Sequence, residues 1–185
     1  ENLQKLSNVY VEMGHLYRNW DATSKALEYL MQADNLKMQL DLYDERIETL
    51  EEISTIYEDD GNFEKLIENG MLLQSLYDKS NNHAKQIAIL KKVSKAYNKL
   101  KLFEQALNTH LKILALCKSE NNKLEEAYAL NEIGYIYKSL EDYNKSLGYF
   151  LNFLILCKEL RMDNYHFQQY SEALLIIGEI YQNLG

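Results

Sequence analysis

Tyr17, Tyr57, Tyr97 and Tyr137 stand 40 apart along this chain, and Tyr181 follows 44 later. Three residues before each stands a small residue, Gly14, Ser54, Ser94, Gly134 and Gly178, preceded by an apolar one, Met13, Ile53, Val93, Ile133 and Ile177. Nine residues after the tyrosines come Ala26, Leu66, Ala106 and Ser146. A repeating unit this short cannot enclose a core alone. Self-similarity at such a period therefore requires a stack in which each unit buries its apolar face on its neighbours.

Each period holds two helical patterns. In the fourth, Leu130, Ile133, Gly134 and Tyr137 recur at helical spacing. After the polar break Leu140-Glu141-Asp142, so do Tyr143, Leu147, Phe150, Leu151 and Leu154. Asn62 and Asp142 stand where second helices begin, as N-cap residues do. The small residues let the two helices of a hairpin approach closely, and each repeat tyrosine fills space between neighbouring hairpins. The expected fold is all-α: a right-handed superhelical solenoid of about four and a half antiparallel helix hairpins, with nine helices. The expected helices cover 3–19, 22–40, 43–59, 62–79, 83–100, 103–119, 123–140, 143–161 and 166–184. They form one domain over 1–185, with repeats at 3–42, 43–82, 83–122, 123–165 and a partial 166–185.

Composition agrees with this. With no Pro and only 7 Gly, a β-sandwich or barrel with many tight turns is excluded. The longest apolar runs, such as 173–178, fall far short of a membrane span. A net charge of −8 makes a poor generic partner for nucleic acid or anionic membrane. The chain opens without an initiating Met or a signal peptide and stops at Gly185, in what reads as the joint before a further helix. It is therefore expected to be a fragment of a longer cytoplasmic protein.

The combination resembles the tetratricopeptide repeat (TPR) family. The residues that carry the likeness are Tyr10-x2-Met13-Gly14-x2-Tyr17 with Ala26, Leu30 and Ala33, and Leu130-x2-Ile133-Gly134-x2-Tyr137 with Ser146, Phe150 and Phe153. The family's usual period is shorter, about 34 residues. Its late proline is replaced here by Met38, Asp78, Lys118 and Lys158. The longer period is similar to that of the long-repeat branch, which includes bacterial peptide-sensing regulators and eukaryotic cargo adaptors. The resemblance implies a protein- or peptide-binding scaffold whose concave groove is lined by one stripe of each first helix. Alternatives are the sensor region of a bacterial signalling protein, with an effector domain outside this chain, and a self-associating module. The resemblance implies neither enzyme activity nor a cofactor.

Carried onto this chain, the stripe reads Asn8, Val11, His15 and Arg18, then Glu48, Glu51, Thr55 and Glu58, then Ala88, Lys91, Lys95 and Asn98. Repeat four gives Tyr128, Asn131, Tyr135 and Lys138, and the last helix Glu172, Leu175, Glu179 and Gln182. Solvated helix faces would account for the acidic members. Two tyrosines and an amide are a costly choice for a solvated face, which favours a binding surface there. The candidate ligand surface is thus Lys91, Lys95, Asn98, Tyr128, Asn131, Tyr135 and Lys138, flanked by Glu48, Glu51 and Glu58. Residues 43–82 carry 11 acidic and 3 basic residues, and residues 83–122 carry 2 acidic and 8 basic. A peptide with an acidic segment is the expected ligand, held by the lysines. A chaperone-tail clamp is not expected, because Lys95, Glu132, Glu172 and Ile176 stand where that clamp needs Asn, Asn, Lys and Arg.

Little else suggests chemistry. His15, His83, His110 and His166 form no metal-ligand spacing, and His110, on the apolar face of a second helix, reads as a core or boundary histidine. Cys117 and Cys157 occupy equivalent positions 40 apart, too distant for a disulfide across stacked hairpins, and read as small buried thiols. Phe167, Leu174, Ile177 and Tyr181 of the last helix are expected to leave an apolar side open to a second copy.

Overall fold

The computed structural model describes residues 2–161 and 167–184. Among them are nine α-helices and no strand: α1 (Asn2–Asn19), α2 (Thr23–Gln39), α3 (Tyr43–Asp59), α4 (Phe63–Lys79), α5 (His83–Lys99), α6 (Phe103–Ser119), α7 (Lys123–Ser139), α8 (Tyr143–Glu159) and α9 (Phe167–Leu184). The side chains of residues 167, 183 and 184, and His166 and Gly185, lie outside what is described. The chain divides into two compact units, Glu1–Ile89 and Leu90–Gly185.

The joints recur at every twentieth position. Asp21, Asp41, Gly61, Asn81, Lys101, Asn121, Glu141 and Arg161 all adopt left-handed backbone, with φ between 49° and 68°. From Ala22 to Asp142, the amide after each left-handed residue donates to the carbonyl five residues back, at 2.8–3.0 Å (Ala22 to Tyr17, Asn122 to Cys117). This is the Schellman arrangement, which satisfies carbonyls that a helix end leaves orphaned. The next helix then starts at once. Asn62, Asn82, Asn122 and Asp142 cap theirs by accepting from the backbone amide three residues on, each at 3.2 Å. Ala22, Leu42 and Leu102 make no such bond. Only Gly61 among the left-handed residues escapes the steric cost of a Cβ there.

Within each hairpin the helices cross where the small residues stand. A Cβ on Gly14 would lie 2.7 Å from the Leu30 side chain, and one on Gly134 would lie 3.0 Å from the Phe150 ring. Ser94 Oγ donates to Ala106 O at 3.4 Å, while at the corresponding crossing Ser146 Oγ donates in the other direction, to Gly134 O, at 2.8 Å. In the second hairpin Asn69 Nδ2 donates to Leu50 O and Ser54 Oγ, both at 2.7 Å. Around these crossings the first unit buries Leu30, Leu50, Ile53, Leu66 and Leu73. The second buries Val93, Ile113, Ile133, Phe150, Phe153 and Ile180. Cys117 and Cys157 are buried thiols, and burial pushes both up to about 11.

The repeat tyrosines do not all behave alike. Tyr57 is buried, and Tyr17 and Tyr137 are half-buried in matching stacks: Tyr17 on Tyr29 at 5.3 Å and Tyr137 on Tyr149 at 5.4 Å. A lysine eight residues on covers each outer ring, Lys25 at 5.1 Å and Lys145 at 5.2 Å. Tyr97 is half-buried too. Tyr181, by contrast, is 56% exposed, and a Cβ on Gly178 would meet nothing within 4 Å. No second helix pairs with α9 among the described residues, so the small residue and the tyrosine have nothing to pack against there. The apolar side of α9 is also divided: Ile177 is buried, whereas Leu174 and Leu175 are exposed. Phe167 falls outside the described side chains.

Two outcomes test this account. Gly134→Leu should lower stability by about 1–3 kcal/mol through overpacking against Phe150, whereas Gly178→Ala should raise it by up to about 1 kcal/mol through helix propensity. Urea denaturation of both variants checks the contrast, and equal destabilisation would remove the packing role of Gly134. At the joints, Lys101→Gly should raise stability by about 0.5–1 kcal/mol, because it relieves a left-handed residue that carries a Cβ. An unchanged melting temperature would show that this turn is not strained.

Candidate functional site

The first-helix stripe of the N-terminal unit is largely engaged by the chain itself. His15 Nε2 lies 2.8 Å from Glu52 Oε2, and Arg18 pairs with Asp59 at 3.3 Å. Glu51 accepts from the Tyr77 hydroxyl and pairs with Lys85 Nζ at 2.8 Å. Burial, together with that carboxylate, raises the Tyr77 phenol above its ordinary range. Glu58 is also engaged, and Glu48 is exposed. Of the acidic stripe, Glu51 thus bridges neighbouring hairpins.

The second unit contains a cavity of about 420 Å³. It is lined by Lys91, Lys95 and Asn98 of α5, His110 of α6, Tyr128 and Glu132 of α7, and Gln169 of α9. Residues 91, 95 and 98 follow helical spacing, which puts them on one face of α5. Tyr128 and Glu132 do the same on α7. Of the stripe expected from the sequence, Lys91, Lys95, Asn98 and Tyr128 meet at this cavity.

The other expected members do not line it. Asn131 is 4% exposed and lies buried, its Oδ1 without a hydrogen-bond partner. Helical spacing alone placed it with Tyr128, and the packing of the unit buries it. Tyr135 donates to Glu172 Oε2 at 3.2 Å, and burial beside that carboxylate pushes its hydroxyl up to about 12. Lys138 pairs with Glu179 at 2.6 Å. Both tie α7 to α9.

Electrostatics differ from wall to floor. Lys91 Nζ pairs with Glu125 Oε2 at 2.8 Å and lies 5.6 Å from the centroid of the Tyr128 ring. Lys95 also has a partner. Glu132 makes no hydrogen bond or ion pair among the described residues. It keeps solvent access, yet the surrounding atoms raise its carboxyl above the usual range, against the pull of Lys91. His110 is 5% exposed, and burial, helped by Lys91, lowers its imidazole to about 4. Its Nδ1 has no partner, and neither do Asn98 Oδ1 and Gln169 Oε1. Three buried polar atoms at one cavity therefore lack a hydrogen bond, where such groups are ordinarily satisfied.

His110, Glu132 and Gln169 were not expected as lining. For His110 a signal exists in the repeat. The equivalent positions hold Leu30, Gly70 and Phe150, so an imidazole replaces a core residue in that column. Glu132 and Gln169 carry no comparable mark. Among the described residues no group of three His, Cys, Asp or Glu side chains could hold a metal, and no helix is long and apolar enough to cross a membrane.

His110 makes stability pH-dependent. The folded-state pKa is depressed, so the unfolded chain takes the proton first. The contribution is complete above about pH 6.5 and is lost as the pH falls towards about 4, amounting to about 3 kcal/mol. His110→Leu should flatten the dependence of the urea midpoint across that window, and an unaltered slope would show that another group titrates.

A family described as "Proteasome activator complex subunit 4-like, HEAT repeat-like" matches residues 4–133. No curated protein matches the chain in sequence. Among solved structures, the apo form of RapI is similar in fold, with a TM-score of 0.76 at 15% identity over 95% of this chain and 48% of that one. A STAND signal-transduction ATPase with a tetratricopeptide repeat sensor, from Pyrococcus horikoshii, has a TM-score of 0.74 at 15% identity over 97% of this chain and 27% of that one. A Rap protein complexed with Competence and Sporulation Factor has a TM-score of 0.57 at 18% identity, over 93% of this chain and 47% of that one. The chain thus spans about half the length of the Rap proteins and about a quarter of the ATPase. The fold is a TPR-like helical repeat, and its period also lies at the lower edge of the HEAT range of about 40–47 residues.

Proposed function

The chain belongs to the helical-repeat family described as proteasome activator complex subunit 4-like, HEAT repeat-like, and from that premise we propose a protein- or peptide-binding scaffold whose ligand site is the cavity of the second unit. The observation that carries this reading is the convergence of seven polar and aromatic side chains from four helices on one space of about 420 Å³. That volume lies in the range of ligand pockets and accommodates a few residues of a peptide. Binding rather than catalysis is the reading because the lining supplies recognition chemistry: two lysines, two amides, an imidazole, a phenol and a carboxylate.

In this reading a ligand carboxylate reaches Lys91 and Lys95 at the rim, taking the place of Glu125 on Lys91. Exchange of one exposed pair for another costs little, since such pairs are worth about 0–1 kcal/mol. The fold likeness to a tetratricopeptide repeat sensor and to a Rap protein complexed with Competence and Sporulation Factor favours a second reading. In it the repeats are the sensing part of a longer cytoplasmic signalling protein, and the ligand sets the state of an attached domain.

A peptide-library screen for ligands of this chain, followed by the double substitution Lys91→Glu and Lys95→Glu, tests the proposal. Binding of an acidic ligand should be lost with helical content intact, and parent binding should weaken as salt rises. A ligand held equally well by the double variant would move the site elsewhere.

A further inference from the structure

The rim and the floor of this cavity ask for opposite things. At the rim the positive charge is already matched: Lys91 lies 2.8 Å from Glu125, and Lys95 is engaged as well. Among the described residues the lining atoms without a hydrogen-bond partner are Asn98 Oδ1 and Gln169 Oε1, which accept, and His110 Nδ1, which accepts when the ring proton is on Nε2; beside them stands the carboxylate of Glu132, which solvent also reaches. His110 is more than nine-tenths buried, and its ring is neutral near pH 7, so one ring nitrogen is an acceptor. An unpaired buried acceptor is costly, and a ligand that supplies donors recovers that cost on binding.

We infer that the floor of the second unit's cavity is a receptor for a guanidinium group, an arginine side chain of the bound ligand, with Glu132 as its counter-ion and Asn98, His110 and Gln169 as its hydrogen-bond acceptors. Donor count separates this from the nearest alternative. A guanidinium presents five N–H donors in a planar fork, enough for a carboxylate and three further acceptors, whereas an ammonium presents three. Guanidinium is also the more weakly hydrated cation, so it loses less on entering a recessed site. A carboxylate would bring acceptors to acceptors and a second negative charge to Glu132. The inference rests on the scaffold reading above. It gives the ligand a dipolar character, an acidic group at the rim and an arginine in the floor.

The probe is N-acetyl-L-arginine methylamide, a single positive charge with capped ends, titrated into the 15N-labelled chain. The imidazole nitrogens of His110 serve as the reporter. The arginine probe should shift the Nδ1 resonance saturably with a dissociation constant in the millimolar range. The lysine analogue should bind more weakly, and the glutamine analogue should leave the resonance in place. Glu132→Gln keeps size and helical content and should weaken the arginine probe about tenfold or more. Failure of the acidic-ligand test with Lys91→Glu and Lys95→Glu affects only the rim, because the arginine probe is read on the parent and on Glu132→Gln, in which both lysines are kept. The inference fails if the arginine probe produces no saturable shift, or if Glu132→Gln binds it as well as the parent does. It fails equally if the glutamate analogue is the one that binds, since an Asn98 or Gln169 amide turned end for end would present N–H2 to an anion.

Discussion

A left-handed residue at every twentieth position sets the phase of everything else in this protein. From Asp21 to Glu141 each turn ends a helix, returns the orphaned carbonyls to backbone amides, and starts the next helix two residues later. Because the joint length does not vary among those turns, the residue 12 positions after the small residue arrives at the same crossing in the first, third and fourth hairpins. Gly14 meets the stretch around Ala26, Ser94 bonds Ala106, and Ser146 bonds Gly134. Insertion of one residue in a joint would rotate the following helix by about 100° and bring its polar face to the crossing.

The same geometry is carried by different chemistry from repeat to repeat. His15 with Glu52 and Tyr135 with Glu172 are both 37 apart in sequence. Arg18 with Asp59 and Lys138 with Glu179 are both 41 apart. These pairs join consecutive first helices at corresponding levels. Exposed pairs of this kind add little stability individually. Their role is to fix which face of a first helix meets its neighbour. In the cavity of the second unit, His110 occupies the column that Leu30 and Phe150 fill in other repeats.

The architecture was legible in the amino-acid order, because helices, joints and crossings follow from residues that are close neighbours along the chain. The tyrosine and small-residue columns, the Asn and Asp caps and the missing prolines together specified nine helices to within one or two residues of their ends. Gly178 and Tyr181 match their columns, but α9 meets no second helix among the described residues, so the same residue types stand exposed there instead of packed. The site was legible only in part. Lys91, Lys95, Asn98 and Tyr128 lie on stripes that helical spacing defines, and they line the cavity. Asn131 shares the Tyr128 stripe by spacing alone, and tertiary packing buries it. Which charges are spent, Lys91 on Glu125 and Glu51 on Tyr77 and Lys85, and which polar atoms stay unmatched, His110 Nδ1, Asn98 Oδ1 and Gln169 Oε1, was decided by the tertiary structure. Those outcomes depend on side chains far apart in sequence reaching one another, and a regular period constrains the position of a side chain without constraining its partner.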